Sequence, residues 1–298
     1  MLVTPIVAST FVSDGGAMFG LVPKPIWSKL IPPNERNGIP QHATCMVVQL
    51  DDGRVGLVDT GCGDPSLFSE KERKHAGLSE TWLLLEALET LELTPDDISF
   101  VVLTHLHWDH AGGTHRRDAE GNTVLTFPNA QHFVHHDEWF DATRKDPLLY
   151  KSYPESCLEP LMNQQSESVV LVTDMAPDIL PGIRMARSGG HTRGHCVIVL
   201  QDDDLVIRHP EAQRFANVDT IVCVGDMVST QHHLRMVFQT SYDTYPLQTR
   251  EWKRDTLPVV ADEGLLMMFG HDSTCYGARI ERDDKLEYRV TDTLDVIA

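Results

Sequence analysis

The chain has 298 residues, 41% of them hydrophobic, and sets 25 Lys and Arg against 44 Asp and Glu, a formal net charge of -19. That length supports a large buried core in one α/β domain spanning 1–298, and the negative balance, with no basic stripe interleaved with aromatics, argues against nucleic acid as a partner. No run approaches the roughly 20 apolar residues of a membrane-spanning helix, and residues 1–6 lack the basic region and apolar run of a secretory signal, so no membrane association is expected.

The first 40 or so residues read as an arm. Residues 14–27 are apolar and punctuated by Gly15, Gly16, Gly20, Pro23 and Pro25; such a stretch needs a cover, from its own domain, from a bound acyl chain or from a second subunit. Met18 and Phe19 are therefore candidates for a pocket wall, and the arm for a homodimer contact. Residues 44–50 and 54–58 read as two strands around the turn Asp51-Asp52-Gly53, the second ending in Asp59-Thr60-Gly61. Residues 79–93 read as a helix with Ser79 as N-cap and Leu84, Leu88 and Leu91 on one face, ended by Thr94-Pro95.

The apolar run 98–103 reads as a strand and leads into His105-Leu106-His107-Trp108-Asp109-His110, four metal-ligand side chains within six residues. Residues two apart on an extended segment point the same way, so His105 and His107 can close on one ion while the chain turns at Trp108 and brings Asp109 and His110 to a second. Imidazole mixed with carboxylate suits zinc and its neighbours better than magnesium or calcium, which prefer oxygen alone. The histidines at 132, 135 and 136 have no partner set to complete a site and are expected at the surface or behind the ligands.

Residues 137–143 and 147–165 read as helical or loop-like, and 183–186, 197–200 and 220–224 as strands. Between the first two strands lies Ser188-Gly189-Gly190-His191-Thr192-Arg193-Gly194-His195, and the third ends in Gly225-Asp226. The polar segment 208–217 reads as an exposed excursion, with His209 an unfavourable ligand, and His232 and His233 as loop residues. A helical pattern over 246–260 is expected to end near Pro258. A further strand over 265–269 ends in Gly270-His271-Asp272, and 279–288 is expected to hold short terminal strands. One arrangement thus recurs, an apolar strand with a ligand-type residue at its carboxyl end. The six cysteines, Cys45, Cys62, Cys157, Cys196, Cys223 and Cys275, include no CxxC pair; they form neither a zinc ribbon nor a secreted disulfide framework, and a reducing cytoplasm is the simplest compartment.

His105-x-His107-x-Asp109-His110, followed by Gly-His191-Thr, Gly-Asp226 and Gly-His271, resembles the metallo-β-lactamase superfamily. The resemblance implies an αββα sandwich with the site at one edge of its sheets. It implies two divalent metal ions, most simply zinc: one on His105, His107 and His191, the other on Asp109, His110 and His271, with Asp226 bridging. Asp59 would orient ligand imidazoles by hydrogen bonding. The turn 188–195 offers two histidines; the resemblance favours His191 as ligand and leaves His195 a supporting role. Residues 14–27 are similar to the amino-terminal arm of quorum-quenching N-acyl homoserine lactone lactonases and of methyl parathion hydrolase-like relatives. That likeness implies a small-molecule substrate whose lactone ring is opened by a metal-bridging hydroxide, with Asp109 and Asp226 as the catalytic carboxylates.

One departure matters. The lactonase type carries a tyrosine shortly after the bridging aspartate, whereas Met227-Val228-Ser229-Thr230 follows Asp226 here; Tyr242 or Tyr245 could enter the site from another direction, and Tyr242 is the candidate substrate contact. Other esters, phosphotriesters, β-lactams and thioesters stay open as substrates. So do a mononuclear iron persulfide dioxygenase and a non-enzymatic metal-binding or partner-binding protein as alternative classes.

Overall fold

The computed structural model describes residues 1–149, 153, 155–163, 168–174 and 178–296. Its strands in chain order are β1 (Leu2–Asp14), β2 (Gly38–Gln49), β3 (Val55–Val58), β4 (Ile98–Val102), β5 (His115–Arg117), β6 (Thr123–Leu125), β7 (Gln131–His135), β8 (Val169–Val172), β9 (Ile183–Arg187), β10 (Cys196–Gln201), β11 (Val206–Ile207), β12 (Thr220–Cys223), β13 (Leu266–Met268), β14 (Cys275–Asp283) and β15 (Glu287–Asp295). One sheet runs β11-β1-β2-β3-β4-β7-β8 and the other β15-β14-β13-β12-β10-β9, while β5 and β6 form a separate ribbon.

Three apolar layers make these sheets a sandwich. Between the sheets pack Met46, Val48, Phe100, Val102 and Phe133 from the first and Met185, Ile198, Leu200, Ile221 and Leu266 from the second. The other face of the first sheet, with Val47, Leu57, Val101 and Val134, is covered by Leu84 and Leu88 of helix Leu83–Thr90 and by Trp139 and Ala142 of helix His136–Thr143. Helix Pro246–Glu263 covers the outer face of the second sheet, setting Leu257 and Val260 on Val197, Val222 and Met267. The order is helix, sheet, sheet, helix, the αββα arrangement. Leu84 and Leu88, four apart and fully buried, show why that helix docks: each such side chain taken from water contributes about 1.5–3 kcal/mol.

The parallel pairs β3–β4, β4–β7 and β12–β13 place the carboxyl ends of β3 and β4, and of β12 and β13, at one edge, where open α/β sheets bind ligands. A register shift between Val55 and Gly56 lets Phe100 face the intersheet core; a Cβ at Gly56 would lie 2.2 Å from the Phe100 ring, so only glycine fits.

Several elements differ from expectation. The first 14 residues are no arm but the long strand β1, paired with β2 nearly end to end; the arm proper is the excursion 15–37, with short helices Gly15–Phe19 and Lys24–Trp27. The helix expected over 79–93 is shorter: Trp82 stands at its N-cap without a side-chain bond, and the Ser79 hydroxyl donates to Thr81 O instead. Helix Pro246–Glu263 runs through Pro258 and stops at Gly264 in the left-handed region. The terminal strands are nine residues each and begin at Cys275. The excursion 208–217 is pinned rather than free: Phe215 is buried in the intersheet core, and His209 contacts Asp295 O at 3.0 Å. His132 and His135 are buried, not superficial, and only His136 is exposed. Part of 147–165 lies outside the described residues, and Glu155–Asn163 is helical. Among the described residues no helix is long and apolar enough to cross a membrane.

Candidate metal centre

Each strand end delivers a side chain to the same point, and three of the histidines are aimed by a hydrogen bond behind the ring. Asp59 ends β3 in the left-handed region, at φ 59°, a conformation Asp tolerates better than most residues. This turn puts its carboxylate under the following loop, where it accepts from Thr104 N and Oγ1, both at 2.8 Å, and meets His110 Nδ1 at 2.8 Å. His110 is left with Nε2 facing inward. His271 Nδ1 donates to His42 O at 2.9 Å and His191 Nδ1 pairs with Asp243 at 2.9 Å, so both also turn Nε2 inward.

Those inward nitrogens converge. His191 Nε2 lies 3.0 Å from His107 Nδ1, and His110 Nε2 lies 3.1 Å from His271 Nε2. Ligand-type atoms of His105, His107 and His191 fall within 4.8 Å of one another, as do those of Asp109, His110 and His271, and those of His105, His110 and Asp226. Asp226 sits between the halves, Oδ2 at 3.1 Å from His191 Nε2 and Oδ1 at 2.9 Å from His271 Nε2. All seven residues singled out in the sequence meet here. Asp59 lies directly behind one of them, His110.

A divalent ion fits this cluster. Among the described residues Nε2 of His105 is buried with no hydrogen-bond partner, a costly state for a polar atom unless something else satisfies it. Two pairs of ring nitrogens face each other at about 3 Å over space that their lone pairs can share. The electrostatics agree. Burial drives His105 and His107 well below the ordinary histidine range, and neighbouring imidazoles add to this. Burial also opposes charge on His110, His191 and His271, yet Asp226, with Asp59 beside His110, Asp243 beside His191 and Asp109 beside His271, outweighs it and raises all three. The carboxylates demand positive charge at this point, which a divalent ion supplies better than protons.

His195 is not aimed inward. Its Nε2 accepts from Asp226 N at 3.1 Å and its Nδ1 contacts Ser188 Oγ at 2.7 Å, so it fixes the backbone of Asp226. Gly225, at φ 49°, must be glycine, because a Cβ there would lie 2.6 Å from that Nε2. Tyr242 and Met18 line a cleft of about 700 Å³ above the cluster, together with Phe11, Trp108 and Asp109. Phe19, expected at the pocket wall, instead lies fully buried in the arm, stacked on Trp27 and on His233; its ring is spent anchoring the arm. His233 is buried as well, contacting Met18 O at 2.8 Å.

Sequence reasoning missed two supports. Asp243, behind His191, is surrounded by Thr240 Oγ1 and Gln239 Nε2; it adjoins Tyr242, and no motif marks it. Glu138 is fully buried, accepting from Leu106 N at 2.9 Å and from Thr192 Oγ1 at 2.5 Å. It thereby ties the His105–His107 loop to the His191 loop. Burial raises its pKa, and the hydrogen bonds from Thr192 and Leu106 limit the rise.

The metallo-beta-lactamase superfamily model matches residues 38–208, more than half of the chain and all of the His105–His110 motif. The chain belongs to the metallo-beta-lactamase superfamily. Among curated relatives, the N-acyl homoserine lactonase AiiB of Agrobacterium fabrum is 30% identical over 164 residues, 50% of this chain and 54% of that protein. The chain thus spans about half the length of the curated relatives it matches. Among solved structures, a probable metal-dependent hydrolase from Staphylococcus aureus is 29% identical with a TM-score of 0.83, covering 99% of this chain and 97% of the other. AidC, a dizinc quorum-quenching lactonase, shares the superfamily fold at 16% identity and a TM-score of 0.74, covering 99% and 94%.

Proposed function

We propose that this superfamily member is a dinuclear metal-dependent hydrolase that opens the lactone ring of N-acyl homoserine lactones. The observation that carries the reading is Asp226 standing between two histidine-rich halves, with one oxygen toward each. His105, His107 and His191 would hold one ion, Asp109, His110 and His271 the other, and Asp226 both. When bound, two zinc-class ions supply a water acidified to near-neutral pKa and an electron-withdrawing contact for the carbonyl.

The chain's own groups do the rest. Asp109, with 16% of its side chain exposed against 8% for Asp226, is the more open of the two carboxylates at the centre. It can take a proton from the attacking water while Asp226 holds the centre together. As the carbonyl carbon gains the water oxygen, the ring C–O bond breaks and the departing oxygen recovers that proton, giving an N-acyl homoserine. Tyr242, half exposed, lines the same cleft, and partial burial with the charges of Asp109, Asp14 and Asp226 raises the pKa of its phenol. It can therefore donate to a substrate oxygen, the part played by the tyrosine missing after Asp226. Phe11, Met18 and Trp108 give the cleft apolar walls suited to an acyl chain. The lactonase relatives support the same class of substrate.

Proton release from N-acyl homoserine lactones of several chain lengths, at constant pH and with metal-quantified protein, tests the proposal. Release is expected with two zinc-class ions per chain and is expected to vanish in His107→Ala. One iron per chain with no release would point to the dioxygenase class, and two ions with no release would sink the lactone assignment while keeping a hydrolase.

A further inference from the structure

Lys253 is fully buried in helix Pro246–Glu263, in a part of the molecule the chemistry above does not use. Among the described residues no carboxylate is hydrogen-bonded to its ammonium, although Asp243 and Glu287 are near enough to favour its charge. Instead Nζ donates to three backbone carbonyls of one loop, His233 O at 2.7 Å, Phe238 O at 2.5 Å and Arg235 O at 3.4 Å. That loop reaches the site three times. His233 contacts Met18 O in the cleft wall at 2.8 Å, Tyr242 stands in the cleft, and Asp243 holds His191. The arm is tied to the same loop again where Ser241 N donates to Ala17 O at 2.7 Å, and Gly20 packs against Gln239 O so closely that a Cβ would lie 2.7 Å away.

We propose that Lys253 is a positioning residue for substrate binding: by gathering the carbonyls of His233, Arg235 and Phe238 it shapes the loop that seats the Met18 wall and Tyr242 around the acyl chain. The proposal rests on the lactonase reading for its substrate. A buried lysine used only for packing would gain nothing from a charge, and an apolar residue would fill its place at lower cost. Here Nζ has three acceptors, and all three belong to the loop that carries Tyr242 and bonds Met18 O. Burial lowers the pKa of Lys253 to about 7, with Asp243 and Glu287 favouring the charged form and Arg250 opposing it. Its own charge in turn lowers His233, after burial, so His233 stays a neutral ring able to donate to Met18 O while accepting from Thr230.

The test compares zinc-loaded wild type, Lys253→Met and His233→Phe on short- and long-chain N-acyl homoserine lactones, with zinc stoichiometry and amide hydrogen exchange over 15–22 and 229–243. In Lys253→Met we expect unchanged zinc, kcat within about twofold and KM for the long chain raised about tenfold, the pattern of lost substrate binding without loss at the reacting bond. KM for the short chain should move less, and both segments should exchange faster. His233→Phe keeps the ring stack on Phe19 and removes the bonds to Met18 O and to Thr230 Oγ1, so faster exchange over 15–22 and around Thr230 and a rise in long-chain KM are expected. Unchanged KM and unchanged exchange, or equal losses in kcat for both chain lengths, would overturn the proposal. If Lys253→Met does not fold, Lys253→Gln, which keeps an uncharged donor toward the same carbonyls, decides by the same criteria. If the wild type turns over no lactone, the substrate reading has failed, and the exchange of 15–22 and 229–243 still decides what Lys253 holds.

Discussion

The inward nitrogens of this site are chosen by what stands behind each ring. Asp59 takes Nδ1 of His110, His42 O takes Nδ1 of His271, and Asp243 takes Nδ1 of His191. A ligand imidazole stripped of that partner is free to rotate and less basic, which in metal sites generally weakens affinity by 10–100-fold. On the two-ion reading proposed above, Asp243→Ala is therefore expected to weaken binding of the ion on His191 by about 10–100-fold and leave the other near its wild-type value. Competition with a chromophoric chelator resolves the two steps. An equal loss at both sites would mean that Asp243 acts through the loop as a whole rather than through His191.

At the scale of elements, what could be read in advance was whatever depends on short-range pattern. The strand over 98–102 was legible because its apolar run is bounded and its exit carries the ligands, and Leu84 and Leu88 betrayed their helix by spacing alone. The length of β1 was not legible. Pro5 looks like a strand breaker, but only Leu2 and Val3 pair with β11, so at Pro5 the second edge is free and the missing N–H costs no ladder bond. Asp243, Glu138 and Lys253 were invisible for a different reason. Each works on residues far along the chain or on backbone atoms, and neither leaves a spacing to find.

Lys253 also gives its helix a measurable signature. Its folded pKa of about 7 lies below the ordinary value of 10.5, so between these limits the unfolded chain holds a proton that the folded chain does not. Stability then rises with pH through that window, by up to about 1.4 kcal/mol per pH unit, and is flat and lowest in this contribution below pH 7. Urea midpoints between pH 7 and 9.5 should climb in wild type relative to Lys253→Met. Parallel pH profiles for the two proteins would show that the three carbonyls keep the ammonium charged throughout.

The whole molecule meets at the metal centre. Asp59, His105, His107, Asp109 and His110 follow strands of the first sheet, whereas His191, Asp226 and His271 follow strands of the second. Backbone contacts already bridge the sheets here, with Thr44 N donating to Gly270 O and Cys196 N to Thr104 O, each at 2.9 Å. The same place sets Asp226 against three imidazoles drawn toward protonation, and among the described residues His105 Nε2 has no hydrogen-bond partner. Metal binding should therefore act as a clamp between the sheets. Ligand bound only by the folded state stabilises it by about 2.7 kcal/mol for each site held at a hundredfold excess over Kd. We expect chelator treatment to lower the melting temperature in one cooperative step and zinc to restore it. In Asp226→Asn, where the group shared by both halves loses its charge, that chelator-sensitive stabilisation should largely disappear while the protein still folds. A melting temperature indifferent to chelator in fully loaded wild type would mean that the sandwich is assembled by its apolar layers alone and that the ions only occupy an edge already formed.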